Sequence, residues 1–529
     1  MYNIMYFPLR TKMVIMCLLI ALILVLLYPT VPHEVGWDSF GVHMEANSIS
    51  EFGYARWWIH PASVIGSYPY SAPSAVPFIL SGISQCTSVN MMSVILLYSI
   101  ILGVFSIFAA YLMAGVIWNN DFFKFLVSFV FSTSQGIVTF SYWTANARTL
   151  YIILLPLFIY LLLKIHTKIK YCILTSILFA LLLVTHHYIY FTIPLIISFL
   201  IIAISYKLGK HIKSIKIPEN YANWAMFSIF LIMFSLPFFT RTLAEADPEG
   251  MSGGRYAWMR YMILSYIRYI GFIIVLVVSG YIYLVFKRNK RLEEWFLLLS
   301  LASLAPFLYI ITYMKWYIIP FYSLLIGIAL VNVAMANIRS QNRIIIPSLM
   351  VIIVLLLSIC FTGYYQYLHF LNEPNPDKRY MEERTYVGAL WIKDNINKDN
   401  NMVAGPHMSY RLPSVSEVPT LTGIGTPDLA YGFQDPQKLE VKQIYPFTST
   451  EFYMHDPYRA VNHSFTDWHL VRIWDSDINN LGSYKDRFSS FNFSYYAENM
   501  DASTMFTQSV QETKECLYDN GKLRVWDLV

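Results

Sequence analysis

The stretch MVIMCLLIALILVLLYPTVPHEVGWDSFGVHMEANSISEFG (residues 13–53) decides how the rest of the chain is read. From Met13 to Leu27 it is apolar and uncharged, and the run on to Val31 approaches the roughly 20 residues that a helix needs to cross a bilayer. Arg10 and Lys12 precede it as they would a signal peptide. The apolar run is long, however, and no small-residue cleavage site follows, so it is expected to stay as an anchor. Immediately beyond it the chain turns polar. Asp38 therefore lies close to the membrane surface, where taking a carboxylate out of water is costly and calls for a reason.

The remainder repeats the apolar theme. Of 529 residues, 56% are hydrophobic, 17% aromatic and only 13% charged, and the mean hydropathy is +0.47. A soluble domain carries about 25% charged residues, so a chain of this length with half that density cannot enclose a soluble core. The same numbers exclude a disordered chain and a disulfide-stapled mini-protein. Eleven stretches are apolar enough to span: 13–31, 91–117, 122–140, 149–164, 171–187, 189–206, 224–240, 269–286, 295–313, 316–336 and 344–363. The fold class expected is a polytopic α-helical membrane protein of about 11 transmembrane helices with a C-terminal extracytoplasmic α/β domain.

Charge supplies direction. The net charge of +5 divides into −7 over residues 366–529 (15 Lys+Arg against 22 Asp+Glu) and +12 over 1–365 (23 against 11). Alternate loops between the spans hold 16 basic residues. The opposite loops hold seven: Arg56, Arg148, Arg241, Arg255, Arg260, Arg268 and Lys315. The excess of Lys and Arg on one side places the N-terminus in the cytoplasm and, after eleven spans, the tail outside. Two domains follow: a transmembrane domain over 1–365, with a large first outer loop at 31–90, and an extracytoplasmic domain over 366–529. The acidic tail argues against a nucleic-acid partner. The loops on the basic side are short and no GxxxxGK[ST] occurs, so nucleotide-driven work by this chain is disfavoured and chemistry is expected outside.

In the tail, YMEERTYVGALWIKDNI (380–396) has helical spacing, MVAG (402–405) reads as a strand, and KLRVWDL (522–528) alternates like one. Asn462 and Asn492 begin glycosylation sequons. Cys17, Cys172 and Cys360 sit in apolar runs and read as small core residues, which leaves Cys86 and Cys516 as the one pair able to meet outside the bilayer. For Asp38 two readings stand. It is placed to act as a general base for an acceptor hydroxyl, or it caps a helix starting at Ser39. Gly41 stands three residues on, so there is no capping box.

An N-terminal span, an acidic residue at the start of a long outer loop, many further spans and an outer C-terminal domain together resemble the GT-C superfamily of membrane glycosyltransferases. The likeness is to archaeal-type and bacterial relatives of protein O-mannosyltransferases and aminoarabinose transferases. GWDSFGVHMEANSISEFG (36–53) is similar to the first-loop pattern of an Asp followed by a His and a run toward Gly, and includes His43 and Glu45. SYPYSAPSAVPF (67–78), with Tyr68, looks like the Tyr-Pro segment that leads into the second span. RTYVGALWIKDN and MVAGPHMSYRL (384–412) look like the helix–strand opening of the outer domain. The layout covers essentially the whole chain, and the specificity lies in the order of short motifs.

The resemblance implies a sugar donor carried on a polyprenyl phosphate, an acceptor that is protein, lipid or glycan, transfer with inversion at the outer face, and Asp38 as the base. A departing polyprenyl phosphate needs cations where its charge develops. Arg148, at the end of YWTANAR, Arg255, in PEGMSGGRYAW, and Lys315, next to Trp316, are candidates, as against basic side chains that merely snorkel to the headgroups. His186 and His187 in VTHHYIY are further substrate-binding candidates, although neighbours on a helix point different ways. No cofactor is expected. A divalent metal is disfavoured because the second outer loop (141–148) has no Asp or Glu, and Glu34, Glu45 and Glu51 form no DxD pair. The WWDYG acceptor motif is missing too, Trp57-Trp58 continuing as Ile-His, which speaks against en bloc transfer onto Asn. The rival readings are a transporter or flippase of a lipid-linked glycan, which the near absence of Asp and Glu from the spans disfavours, and a non-catalytic receptor or scaffold.

Overall fold

A computed structural model of the chain describes residues 6–53, 75–165, 167–211, 218–240, 254–338, 345–370, 380–397, 401–404, 408–418, 420–421, 442–443, 469–470, 493–500 and 510–529. A helix stands at each of the eleven apolar stretches. They are α1 (Leu9–Leu26), α4 (Met91–Ile117), α5 with α6 (Asp121–Ser132, Gln135–Val138), α7 (Ala147–Lys164), α8 (Ile169–Thr185), α9 (Ile189–His211), α10 (Glu219–Phe239), α11 with α12 (Gly254–Ile270, Val275–Phe286), α13 (Leu292–Leu304), α15 (Ile319–Ile338) and α16 (Ile345–Phe370). Between them lie α2 (Trp37–Phe52), α3 (Ala75–Thr87) and the single turn α14 (Met314–Tyr317). Among the described residues five helices are singly long and apolar enough to cross a membrane, or seven spans if each bent pair counts as one. The other four of the eleven expected stretches hold α8 and α13, of 17 and 13 residues, and α15 and α16, of 20 and 26.

Two bends matter for the site. The pair Asp121–Ser132 and Gln135–Ser141 is bent by 54°, which carries Phe140 and the segment after it inward. The pair Ala257–Ile270 and Phe272–Phe286 is bent by 107° at Gly271, whose φ of +88° suits a residue without a Cβ. As a result α11 is a helix where the sequence reads as an outer loop (241–268). Elsewhere glycine permits close approach: a Cβ on Gly280 of α12 would collide with the backbone oxygen of Leu325 in α15. Small residues that let backbones meet are how helices pack where lipid removes the hydrophobic drive between them.

The core of the helical part is one continuous apolar cluster drawing on α4, α5, α7, α13 and α15. The outer flanks of α1, α9 and α10 instead present Leu18, Val25, Ile197, Ile204, Leu231 and Ile232 outward, as lipid-facing helices do. Cys17 and Cys360 belong to this exposed surface rather than to the core, because each lies on the outward stripe of its helix, and Cys172 is half-buried. Cys86 and Cys516 are exposed and free, so the structure has no bond between them.

After residue 380 the chain forms α17 (Glu383–Asn395), β1 (Asn401–Ala404), α18 (Met408–Ser416), β2 (Thr420–Leu421), β3 (Lys442–Gln443), β4 (His469–Leu470), β5 (Phe493–Asn499), β6 (Cys516–Asp519) and β7 (Leu523–Asp527). The five-stranded sheet runs β2-β1-β5-β7-β6, with β1 parallel to β2 and β5 and the rest antiparallel. Ala389 and Ile392 of α17 pack on Leu523 and Val525. Asn462 and Asn492 lie outside the described residues.

This sheet unit docks on the start of the first loop. Val35 bridges Tyr380, the Met381 N–H donates to the Glu34 carbonyl at 3.0 Å, and His33 bonds Glu383 at 2.7 Å while stacking on Tyr386. Farther along α2, the Asn47 amide donates to the Ser414 carbonyl of α18 at 3.0 Å. The segment that carries Asp38 is thus held from both sides.

Candidate active site

The site is assembled where residues 34–39 lie against residues 143–148. The Val35 N–H donates to the Trp143 carbonyl at 3.0 Å, and Gly36 turns the chain into α2 with φ +98°, its α-carbon facing Thr144. Glu34, fully buried, accepts from the Ser39 hydroxyl at 2.6 Å with one oxygen and bonds His43 Nδ1 at 2.6 Å with the other. The Ser39 oxygen in turn accepts the Ala145 N–H at 2.6 Å. A buried carboxylate is tolerable only when both oxygens are satisfied in this way. This network fixes α2 against residues 143–148.

Asp38 emerges in the first turn of α2, its side chain 57% exposed. It does not cap the helix: Gly36 holds that position, and Asp38 Oδ2 accepts instead from Asn146 Nδ2 at 3.1 Å and Arg148 Nη2 at 3.2 Å. Asn146 is itself the N-cap of α7, its Oδ1 accepting the Arg148 N–H at 2.8 Å. Its signal was present in the sequence as an Asn just before an apolar helical run.

Arg148 does not snorkel outward. Its side chain is 15% exposed and the guanidinium lies 4.7 Å from the Trp316 ring, 5.2 Å from Phe140 and 5.3 Å from Tyr313. Lys315, 3% exposed, is buried as well, donating to the Tyr261 hydroxyl at 3.1 Å and lying 4.4 Å from the same Trp316 ring. The indole of Trp316 is therefore shared by two cations, a favourable arrangement for an aromatic face held away from water. Tyr261 comes from α11, which Trp258 ties down by donating to the Tyr309 carbonyl at 2.9 Å.

His186 and His187 fall between α8 and α9 rather than on either helix, so the helical argument for divergent side chains does not apply. Their ring centroids are 4.0 Å apart, and His187 lies 5.0 Å from Tyr313. His186 Nδ1 accepts the Tyr188 N–H at 3.2 Å. Burial, reinforced by Arg148, holds both imidazoles below the usual range, His187 at about 4, so both are neutral near pH 7.

The structure thus brings together Asp38, Arg148, Lys315, Trp316, His186 and His187, and adds Asn146, Phe140, Tyr261 and Tyr313, which the sequence reading did not single out. His43 and Glu45 are both buried within α2. His43 serves Glu34, and Glu45 has no hydrogen-bonding partner among the described residues, burial pushing its carboxyl well above the usual range. Tyr68 and the Arg255 side chain lie outside the described residues. Glu34 is engaged by Ser39 and His43, and among the described residues no three His, Cys, Asp or Glu side chains converge.

No family model matches the chain, and no curated protein matches it in sequence. Solved structures do match in shape. The apo oligosaccharyltransferase of Archaeoglobus fulgidus is similar with a TM-score of 0.60 at 11% identity, over 94% of this chain and 70% of that one. Apo ArnT from Cupriavidus metallidurans gives 0.55 at 9% identity and covers 98% of each chain. The same ArnT bound to undecaprenyl phosphate gives 0.56 at 10% identity. At these identities the likeness is one of fold, and it runs over nearly the whole chain: the chain has the GT-C fold.

Proposed function

We propose that the chain is a membrane glycosyltransferase that moves a sugar from a polyprenyl-phosphate-linked donor to an acceptor hydroxyl at the outer membrane face. The observation that carries this reading is the pairing of an exposed carboxylate, Asp38, with a guanidinium, Arg148, whose other side is walled by Phe140, Tyr313 and Trp316. An inverting displacement needs the base on one face of the anomeric carbon and the cation beside the phosphate on the opposite face, so the sugar enters between Asp38 and Arg148 and separates them. Asp38 takes the acceptor proton, the acceptor oxygen bonds the anomeric carbon, and the sugar–phosphate bond breaks with its electron pair leaving on the phosphate. Arg148 and Lys315 stabilise that charge in a water-poor setting, where preorganised cations act most strongly. Trp316 holds the two cations in place, Tyr313 is the partly exposed aromatic beside them, and the histidines add hydrogen-bonding groups.

The site lies outside the cell in this reading, with residues 1–365 in the membrane and 366–529 extracytoplasmic. Two observations support the orientation. Basic residues concentrate on the opposite loops, and two of them, Lys12 of α1 and Lys124 of α5, meet on Asp121 at the start of α5, at 2.8 and 3.0 Å. Titrating purified protein with a panel of polyprenyl-phosphate sugars and following donor consumption tests the reading. Consumption of at least one donor with release of polyprenyl phosphate is expected, and inertness toward all of them in a folded preparation counts against it.

A further inference from the structure

The pairing that supports the reaction also presents an obstacle to it. Asp38 Oδ2 receives both Arg148 Nη2 and Asn146 Nδ2, so in the empty site the oxygen that an acceptor hydroxyl must approach is already engaged. The two partners differ in how they are held. Asn146 is anchored, because its other amide atom caps α7 and its backbone lies in the segment tied to Ser39 through Ala145. Arg148 is held mainly by ring faces, along which a planar guanidinium slides without losing its attraction. Its Nε and the neighbouring Trp316 Nε1 are buried donors with no partner among the described residues. Two idle donors beside a cation are suited to a tetrahedral anion with several oxygens, which can occupy them while drawing the guanidinium away from a carboxylate.

We propose that Arg148 is an exchangeable latch: it holds Asp38 in the empty site and passes to the donor's phosphate on binding, while Asn146 stays on Asp38 as the positioning residue. The inference rests on the reading of Arg148 as a phosphate ligand and adds an order to it. Donor binds first, and only then is the base released for the acceptor. Asp38 and the phosphate thus compete for one guanidinium, so deleting the Asp38 charge strengthens donor binding even as it removes the base.

The test is a double-mutant cycle on binding of undecaprenyl monophosphate to the full chain in detergent micelles, followed by calorimetry. Arg148→Ala is expected to weaken binding at least tenfold. Asp38→Asn is expected to tighten it about threefold to tenfold, the upper figure being about 1.4 kcal/mol, and this gain is expected to vanish in the Arg148→Ala background. Arg148→Gln replaces Arg148→Ala if the latter does not fold. Equal tightening in both backgrounds means simple repulsion between anions and overturns the latch, as does unchanged or weaker binding in Asp38→Asn. If Arg148→Ala binds like the unaltered chain, the phosphate reading fails and takes the latch with it. If Arg148→Ala weakens binding and Asp38→Asn does nothing, the latch alone fails.

Discussion

Glu34 makes the sharpest prediction about how the site is built. Its carboxylate is fully buried and holds Ser39 and His43 at 2.6 Å each, and those residues are themselves 0% and 3% exposed. In Glu34→Ala the Ser39 hydroxyl loses its acceptor, the His43 ring loses its partner, and a cavity opens beside α2. A hydrogen bond to a charged group contributes about 1.5–3 kcal/mol, and removing one partner of a buried pair costs about 3–5 kcal/mol. The expected loss is therefore about 3–5 kcal/mol. Glu34→Gln keeps one acceptor and is accommodated by a Ser39 rotor or a His43 tautomer change, so about 1–2 kcal/mol is expected. Reversible unfolding in mixed micelles measures both. Because Ser39 also grips the Ala145 N–H next to Asn146, a shift of about 1 Å in Asp38 is expected to lower the transfer rate of Glu34→Ala about 100-fold. A Glu34→Ala protein as stable and as active as the unaltered chain refutes the reasoning.

Three further outcomes follow from single positions. Burial favours the protonated form of Glu45 in the fold, whereas the unfolded chain releases that proton above the ordinary value of 4.5; its contribution is thus complete below that pH and declines as pH rises toward the raised folded value. Glu45→Gln should accordingly gain stability relative to the unaltered chain between pH 5 and 8, read as unfolding midpoints across pH, and an unchanged difference contradicts the assignment. Gly280→Ala drives a methyl into the Leu325 carbonyl and should destabilise by about 1–3 kcal/mol in the same unfolding assay, since backbone rather than a flexible side chain must move. Trp316→Leu keeps an apolar filler but removes the ring shared by Arg148 and Lys315, and should weaken undecaprenyl monophosphate binding about tenfold by calorimetry.

The legibility of this molecule tracked its scarcity of charge. With charged residues at 13% of the chain, an acidic residue just past a span and an arginine at the head of another stood out, and Asp38 and Arg148 do meet. The tail helix and the strands at 401–404 and 523–527 followed from ordinary periodicity. What escaped had physical reasons. The bend at Gly271 depends on tertiary packing, so α11 was read as loop and Tyr261 with it. The close pairing of His186 and His187 requires the helix to stop at Thr185, which the apolar run does not signal. Phe140 and Tyr313 could not be picked out from a chain in which aromatics make up 17%. Glu34 was weighed only as a metal ligand, since no local pattern announces a partner nine residues on.

The central claim is that Asp38 is the base of a polyprenyl-phosphate-dependent sugar transfer. Its most direct test is single-turnover transfer by purified protein carrying Asp38→Asn, with the anomeric configuration of the product determined for the unaltered chain. The expected result is an inverted product from the unaltered chain and a rate reduced about 100- to 10,000-fold in Asp38→Asn, with undecaprenyl monophosphate binding no weaker than in the unaltered chain. Full turnover by a folded Asp38→Asn protein, or retention of configuration, would contradict it.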